Sequence, residues 1–138
     1  MTLPFRLTNL GTGNRATEAV LDEVERTLGS PLPRDYRAFL METDGLEGFL
    51  NEEEYLILWS SEDLVEMNEG YAVAEFAPGV TLVGTDGGGN GYGLTSKGGS
   101  TVYVSVPFVG MSLDTVHIIG QTLEEFLDRV ALGLGLPK

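Results

Sequence analysis

Apolar residues recur every three to four positions in two stretches near the start of the chain, and this spacing predicts two helices. The first spans residues 18–28, is capped by Thr17 and ends at Gly29. Its apolar positions are Val20, Leu21, Val24 and Leu28. The second runs from Pro33 to about residue 43, before Gly45. Its apolar positions are Tyr36, Phe39 and Leu40. The short connector between them predicts a helical hairpin.

Later in the chain, short apolar runs bounded by glycine and polar residues predict β-strands. These strands are expected at 55–59, 80–83, 92–95, 101–106 and 115–119. In the fourth of them, valines alternate with Thr101, Tyr103 and Ser105. That alternation predicts one buried face and one solvent-exposed face, with Tyr103 on the exposed face.

Two capping patterns predict further helices. Ser60 with Asp63 three residues later indicates the start of a short middle helix that ends at Gly70. Thr122 with Glu125 has the same spacing and begins a C-terminal helix that extends to residue 132.

The order of these elements predicts an α+β fold in a single domain. Most connections between the strands are too short for parallel crossovers, so the sheet is expected to be mainly antiparallel, with about five to six strands. It is accompanied by the N-terminal helical hairpin, the short middle helix and the C-terminal helix. Residues 1–15 are interpreted as an extended lead-in and residues 16–138 as the domain.

Composition excludes several kinds of chemistry. The 138 residues contain no cysteine and one histidine, His117, which excludes disulfides, cysteine nucleophiles, Cys-based zinc sites and multi-histidine metal sites. No apolar run approaches the roughly 20 residues that span a bilayer. The first 14 residues lack the pattern of a secretory signal. These features predict a cytoplasmic protein.

The net charge of −13 is concentrated in the middle of the chain. Between Arg37 and Lys97 there is no basic residue. The acids of that stretch are Glu42, Asp44, Glu47, Glu52, Glu53, Glu54, Glu62, Asp63, Glu66, Glu69, Glu75 and Asp86. Such a field repels phosphate backbones and anionic lipid, which argues against direct binding of nucleic acid or membrane. It would attract a basic protein, although it is also typical of a simply soluble acidic surface.

No catalytic, cofactor or metal site is predicted. The glycine-rich segment 84–93 matches neither a phosphate-binding loop nor the spacing of an EF-hand, and it is interpreted as a turn that leaves open a role in protein binding. The segment 51–54 offers oxygens that suit a hard cation, but a solvated turn is the favoured interpretation. His117 is not predicted to be catalytic, because no serine of the sequence lies in a G-x-S-x-G nucleophile elbow.

Four motifs, taken in order, resemble the SUKH superfamily, which is named after a yeast regulator of cell-wall synthesis (Smi/Knr). The first is the run from Leu32 to Leu40, LPRDYRAFL, followed by Thr43-Asp44-Gly45. The others are the strand and helix of 56–68, the run VGTDGGG at 83–89 and TLEEFL at 122–127. The motif residues expected to be structural are Leu32, Pro33, Tyr36, Phe39, Leu40, Gly45, Gly84, Phe126 and Leu127.

The resemblance implies a non-enzymatic binding domain. Most bacterial members look like immunity proteins that neutralise polymorphic toxins, often nucleases, so the expected partner is a basic toxin domain. The residues predicted to contact it are Glu47, Glu52, Glu53, Glu54, Glu66, Glu69, Asp86, Asn90, Tyr92 and Tyr103. Two alternatives stay open: an intracellular regulatory or scaffold module, and a divalent-cation-binding protein.

Overall fold

The computed structural model describes residues 15–133, so the predicted lead-in lies outside the described residues except for Arg15. The helices are α1 Glu18–Leu28, α2 Arg34–Glu42, α3 Ser61–Gly70, α4 Val73–Phe76 and α5 Leu123–Ala131. The strands are β1 Leu46–Phe49, β2 Tyr55–Leu58, β3 Thr81–Thr85, β4 Asn90–Lys97, β5 Ser100–Pro107 and β6 His117–Gly120. The α+β prediction is confirmed.

The six strands form one sheet in chain order, and every neighbouring pair is antiparallel. The connection between β4 and β5 shows why this order forms locally. Gly98 and Gly99 occupy the turn with φ values of 60° and 82°. Positive φ at both central residues is what a two-residue hairpin turn of type I′ requires. The predicted antiparallel sheet is confirmed.

The core lies between the sheet and the helices, and α5 shows how the sequence builds it. Thr122 caps this helix by accepting a hydrogen bond from the Glu125 amide at 3.1 Å. Its apolar face, spaced at three and four residues, is buried. That face comprises Leu123, Phe126, Leu127 and Val130. The Phe126 ring lies against the rings of Tyr92 and Tyr103, with centroids 5.2 and 5.3 Å away.

The prediction that Tyr103 is exposed is wrong, because the face of β5 that carries it is covered. Tyr103 is 1 % exposed, and its hydroxyl donates a 2.9 Å hydrogen bond to Asp35 of α2. The second oxygen of Asp35 accepts the Leu123 amide at 2.7 Å. One carboxylate therefore links α2, β5 and the first turn of α5.

The start of α3 also differs from its prediction. Ser60 makes no capping hydrogen bond through its side chain. Instead, Asp44, which follows α2, accepts the Ser61 amide at 2.7 Å and the Ser61 hydroxyl at 2.8 Å. A carboxylate 17 residues away in sequence thus satisfies the helix terminus. Strand β1 and helix α4 were not predicted.

Gly84 shows a position at which a motif residue is required by close packing. A Cβ atom placed there would lie 2.1 Å from the carbonyl oxygen of Ile57 in the neighbouring strand. No side chain fits at that distance without moving the β2–β3 pair. The glycine therefore permits the contact between these strands.

Candidate functional site

A groove of about 570 Å³ lies between the β1–β2 hairpin and α3. Its lining combines two kinds of side chain. The acidic ones are Asp44, Glu47, Asp63 and Glu66. The apolar ones are Leu46, Ile57, Leu58, Trp59 and Met67. A concave surface with an apolar lining and carboxylates around it can accept a side chain that has an aliphatic stem and a positive end.

Local geometry explains how two distant segments supply these carboxylates. Asp63 and Glu66 are three residues apart on α3, so they lie on the same side of the helix. Glu47 is exposed on β1, while its neighbour Leu46 is buried. Glu47 is paired in register with Ile57 of β2, and paired residues project from the same face of a sheet.

The carboxylates of this groove have no positively charged partner in the described part of the chain. The ion pairs among residues 15–133 are Arg26–Glu23, Arg37–Asp22, Arg37–Glu25 and Arg129–Glu125. All of their acidic members belong to α1 or α5. Every acid between positions 42 and 86 is therefore without an ion pair in the described structure.

Within the groove the four acids are not equivalent. Asp44 is committed to the α3 terminus through its two bonds to Ser61. Glu47 accepts a hydrogen bond from the Tyr55 hydroxyl. That bond is the main cause of the raised pKa of the Tyr55 phenol, and burial and the Glu47 charge add to it. A neutral phenol leaves the negative charge of Glu47 uncompensated, so Glu47, Asp63 and Glu66 can all attract a cation.

Of the ten residues predicted to contact a partner, Glu47 and Glu66 are brought together in this groove. Glu52 and Glu53 are exposed in the β1–β2 turn, next to the exposed ring of Phe49. The Asn51 side chain shapes this turn by accepting the amides of Glu53 and Glu54, both at 2.8 Å. Exposed carboxylates beside an exposed aromatic ring extend the acidic surface along the hairpin.

The other predicted residues lie apart from the groove. Glu69 lines a different cavity, beside the end of α1. Asp86 accepts the Gly88 amide at 2.8 Å, and it accepts the amide and the side-chain Nδ2 of Asn90 at 3.2 and 3.1 Å. The glycine-rich turn is also shorter than predicted, since β3 continues to Thr85 and β4 begins at Asn90. Asp86 therefore shapes its own turn.

Tyr92 and Tyr103 cannot offer rings to a partner from these positions. Each is 1 % exposed, and both rings pack against Phe126. The two residues are removed from the candidate surface, since their side chains belong to the core.

Sequence reasoning did not select Asp63, Ile57 and Met67 for the site. The i, i+3 spacing of Asp63 and Glu66 was a usable signal, because it places both on one face of the predicted middle helix. Ile57 gave no such signal, because its strand is apolar at every position. Only the pairing of β1 with β2 shows that Ile57 lies beside Glu47.

The model of the SMI1 / KNR4 family (SUKH-1) matches residues 15–129. No curated protein matches the chain. Between residues 15 and 133, no helix is long and apolar enough to cross a membrane. Within the same range, no three acidic or histidine side chains are grouped as metal ligands would be.

Proposed function

The chain belongs to the SMI1 / KNR4 family (SUKH-1), and from this premise we propose that it is a non-enzymatic immunity protein. It binds a basic toxin domain, with a nuclease as the expected class, and it does so through the acidic groove and the adjoining β1–β2 turn. The family match supports a protein-binding role. The charge distribution supports a basic partner.

The observation that carries this proposal is the group of uncompensated carboxylates around an apolar groove. Glu47, Asp63 and Glu66 line it without a basic neighbour in the described residues. A nuclease concentrates lysine and arginine where it contacts phosphates. Those side chains would lay their stems on Ile57 and Met67 and their charges against the carboxylates.

The partner would therefore be held by two complementary effects. Long-range attraction between a negative and a positive surface raises the association rate. Burial of the partner's side chains against the apolar lining slows dissociation, because well-packed anchors contribute most of the binding energy in an interface. The ring of Phe49, which is 56 % exposed and lies two residues from Glu47 on β1, is a candidate for such an anchor.

Growth rescue tests the proposal directly. The protein is co-expressed with each toxin domain that the source organism encodes, and colony counts are compared with those of an empty vector. We expect one toxin to be neutralised. If none is neutralised while the protein is present and folded, the immunity function is wrong and the regulatory-module alternative is favoured.

A matched pair of variants then locates the interface. The first carries Glu47→Lys, Asp63→Lys and Glu66→Lys. The second carries Glu18→Lys, Glu124→Lys and Asp128→Lys, at exposed acids that take part in no ion pair of the described structure. Both variants change the net charge equally. Loss of rescue in the first alone assigns the groove, whereas equal rescue by both would place the interface elsewhere.

A further inference from the structure

Another cavity, of about 380 Å³, lies where β4 begins, β5 ends and β6 begins. The short helix at Leu113–Thr115 closes one side. The side chains that matter here are Asn90, Ser105, Asp114 and His117, with Pro107 and Val116 as apolar walls. None of these residues lines the acidic groove.

Strand register brings the polar side chains to one face. Ser105 of β5 is paired with His117 of β6, and Asn90 of β4 is paired with Pro107. Paired residues project to the same side of a sheet, and so do residues two apart on a strand. Asn90, Ser105 and His117 therefore converge on the side where the cavity opens.

The Ser105 hydroxyl is the unusual feature of this cavity. Ser105 is 1 % exposed, and its Oγ has no hydrogen-bond partner among residues 15–133. Leaving a buried hydroxyl unpaired costs about 1–3 kcal/mol, so native proteins seldom keep one without a reason. A buried, unpaired hydroxyl in the lining of a cavity provides a contact for a polar ligand.

The other polar groups of the lining are mainly acceptors. The side-chain Nδ2 of Asn90 donates to Asp86. The side-chain Oδ1 of Asn90 is therefore the atom that can accept a hydrogen bond from a ligand. The Asp114 carboxylate is exposed and forms no ion pair within the described residues. No lysine or arginine is among the described lining residues.

We propose that this cavity binds the cationic end of an aliphatic amine or guanidine. Its N–H groups would donate to the Ser105 hydroxyl, the side-chain Oδ1 of Asn90 and the Asp114 carboxylate. Its methylene groups would contact Pro107 and Val116. Such a ligand is rich in donors and positively charged, which complements a lining rich in acceptors. The group can belong to a free small molecule or to a lysine or arginine side chain of another protein.

Titration followed by amide NMR tests the proposal on the full chain. The probes are butylammonium and methylguanidinium, with butyrate and butanol as matched controls for the charge and the alkyl chain. We expect saturable shifts from the two cations, confined to amides around Asn90, Val116 and His117. Absence of saturable shifts, or equal binding of butyrate or butanol, would overturn the proposal.

Variants test the roles of individual groups. Ser105→Ala removes the hydroxyl and should weaken cation binding about ten-fold or more. Ser96→Ala, at an exposed serine on β4, is its control and should leave binding unchanged. Asp114→Asn, at an exposed side chain, should weaken binding of the cations several-fold. If both Ser105→Ala and Asp114→Asn bind as the parent protein does, the assignment is wrong.

Binding of short peptides distinguishes the two sources of the cation, a free small molecule and a side chain of another protein. Blocked Gly-Lys-Gly and Gly-Arg-Gly present the same groups on a protein backbone. If they bind at least as tightly as the free cations, the site serves a protein side chain. If only the free cations bind, the site serves a small molecule. The acidic-groove triple variant should bind all these probes normally, so failure of the immunity proposal would not affect this result.

Discussion

Two sets of carboxylates in this protein have opposite surroundings. On α1, Asp22 and Glu25 both contact Arg37 of α2, and Asp22 does so at 3.1 Å. A second oxygen of Glu25 accepts the Leu32 amide at 2.6 Å, which ties α1 to the connector between the helices. Around the groove, Glu47, Asp63 and Glu66 form no ion pair with a basic side chain of the described structure.

The difference teaches that residue type alone does not indicate what an acid does. Asp22 and Glu25 of α1, together with Asp35 and Asp44, use their oxygens to hold elements of the fold together. The groove acids carry the same sign of charge, and no lysine or arginine of the described residues pairs with them. A surface that keeps such charges together has a cost in stability, and a basic partner would remove it.

The largest effect should come from raising the pH, which acts on three buried phenols that lie near acids of the fold. Burial raises the pKa of Tyr36, Tyr92 and Tyr103, and the charges of Asp44, Asp86 and Asp35 respectively raise them further. These phenols stay protonated in the folded state, whereas the unfolded chain releases their protons near pH 10. The free energy of unfolding therefore falls as the pH rises above about 10, by up to about 1.4 kcal/mol per pH unit for each phenol.

Urea unfolding at pH values of about 9, 10 and 11 measures this decline. We expect an unchanged midpoint below pH 10 and a steep loss above it. Tyr92→Phe and Tyr103→Phe should each make the loss shallower, because each removes one group that titrates only on unfolding. A midpoint that does not move up to pH 11 would contradict the buried, protonated phenols.

The next largest effect compares one acid from each set. Asp35→Ala removes the acceptor for the Tyr103 hydroxyl and the Leu123 amide. Both donors are then left without their partner, and we expect unfolding to be easier by about 3 kcal/mol. Glu66→Ala, on the exposed side of α3, should change stability by less than about 0.5 kcal/mol. Urea midpoints that are equal for the two variants would remove the distinction.

These two acids also show what the sequence could predict. Helices α1, α2 and α5 were predicted because their apolar residues keep the helical period and α1 and α5 begin at threonine caps. The role of Asp35 was not predicted, because its partners lie 68 and 88 residues away. Local patterns carry no information about such distant contacts.

The groove was predictable only in part for the same reason. The exclusion of basic residues between Arg37 and Lys97 is visible in the sequence and predicts an acidic region. Glu47 and Asp63 line the same groove because of the position of β1. This strand has four residues, one of them Gly48. Such a short strand has almost no periodic signal, so its pairing with β2 could not be foreseen.

A smaller effect is expected on the rate at which this protein associates with the toxin that the rescue assay identifies. Replacing Glu47, Asp63 and Glu66 by lysine should slow association about ten-fold at low ionic strength, because the attractive field at the groove is reversed. The triple lysine variant at Glu18, Glu124 and Asp128 should slow it far less. Stopped-flow measurements over a range of salt concentrations test this, and parallel salt dependences for the two variants would show that only net charge matters.

The smallest effect is on the stability of the free protein. Glu47→Gln, Asp63→Asn and Glu66→Gln remove the repulsion while keeping the size of each side chain. We expect the triple variant to gain a few tenths of a kcal/mol at low salt, because like charges on neighbouring positions destabilise by about that amount. Asp63 limits the gain, since a carboxylate in the first turn of α3 is favoured by the helix dipole. The gain should disappear at about 0.5 M NaCl, where the Debye length falls to a few ångströms.

The double amide variant at Asp22 and Glu25 should instead lose stability, because those two acids contact Arg37. Opposite signs for the two variants at low salt would establish that one set supports the fold while the other strains it, and equal signs would end the comparison.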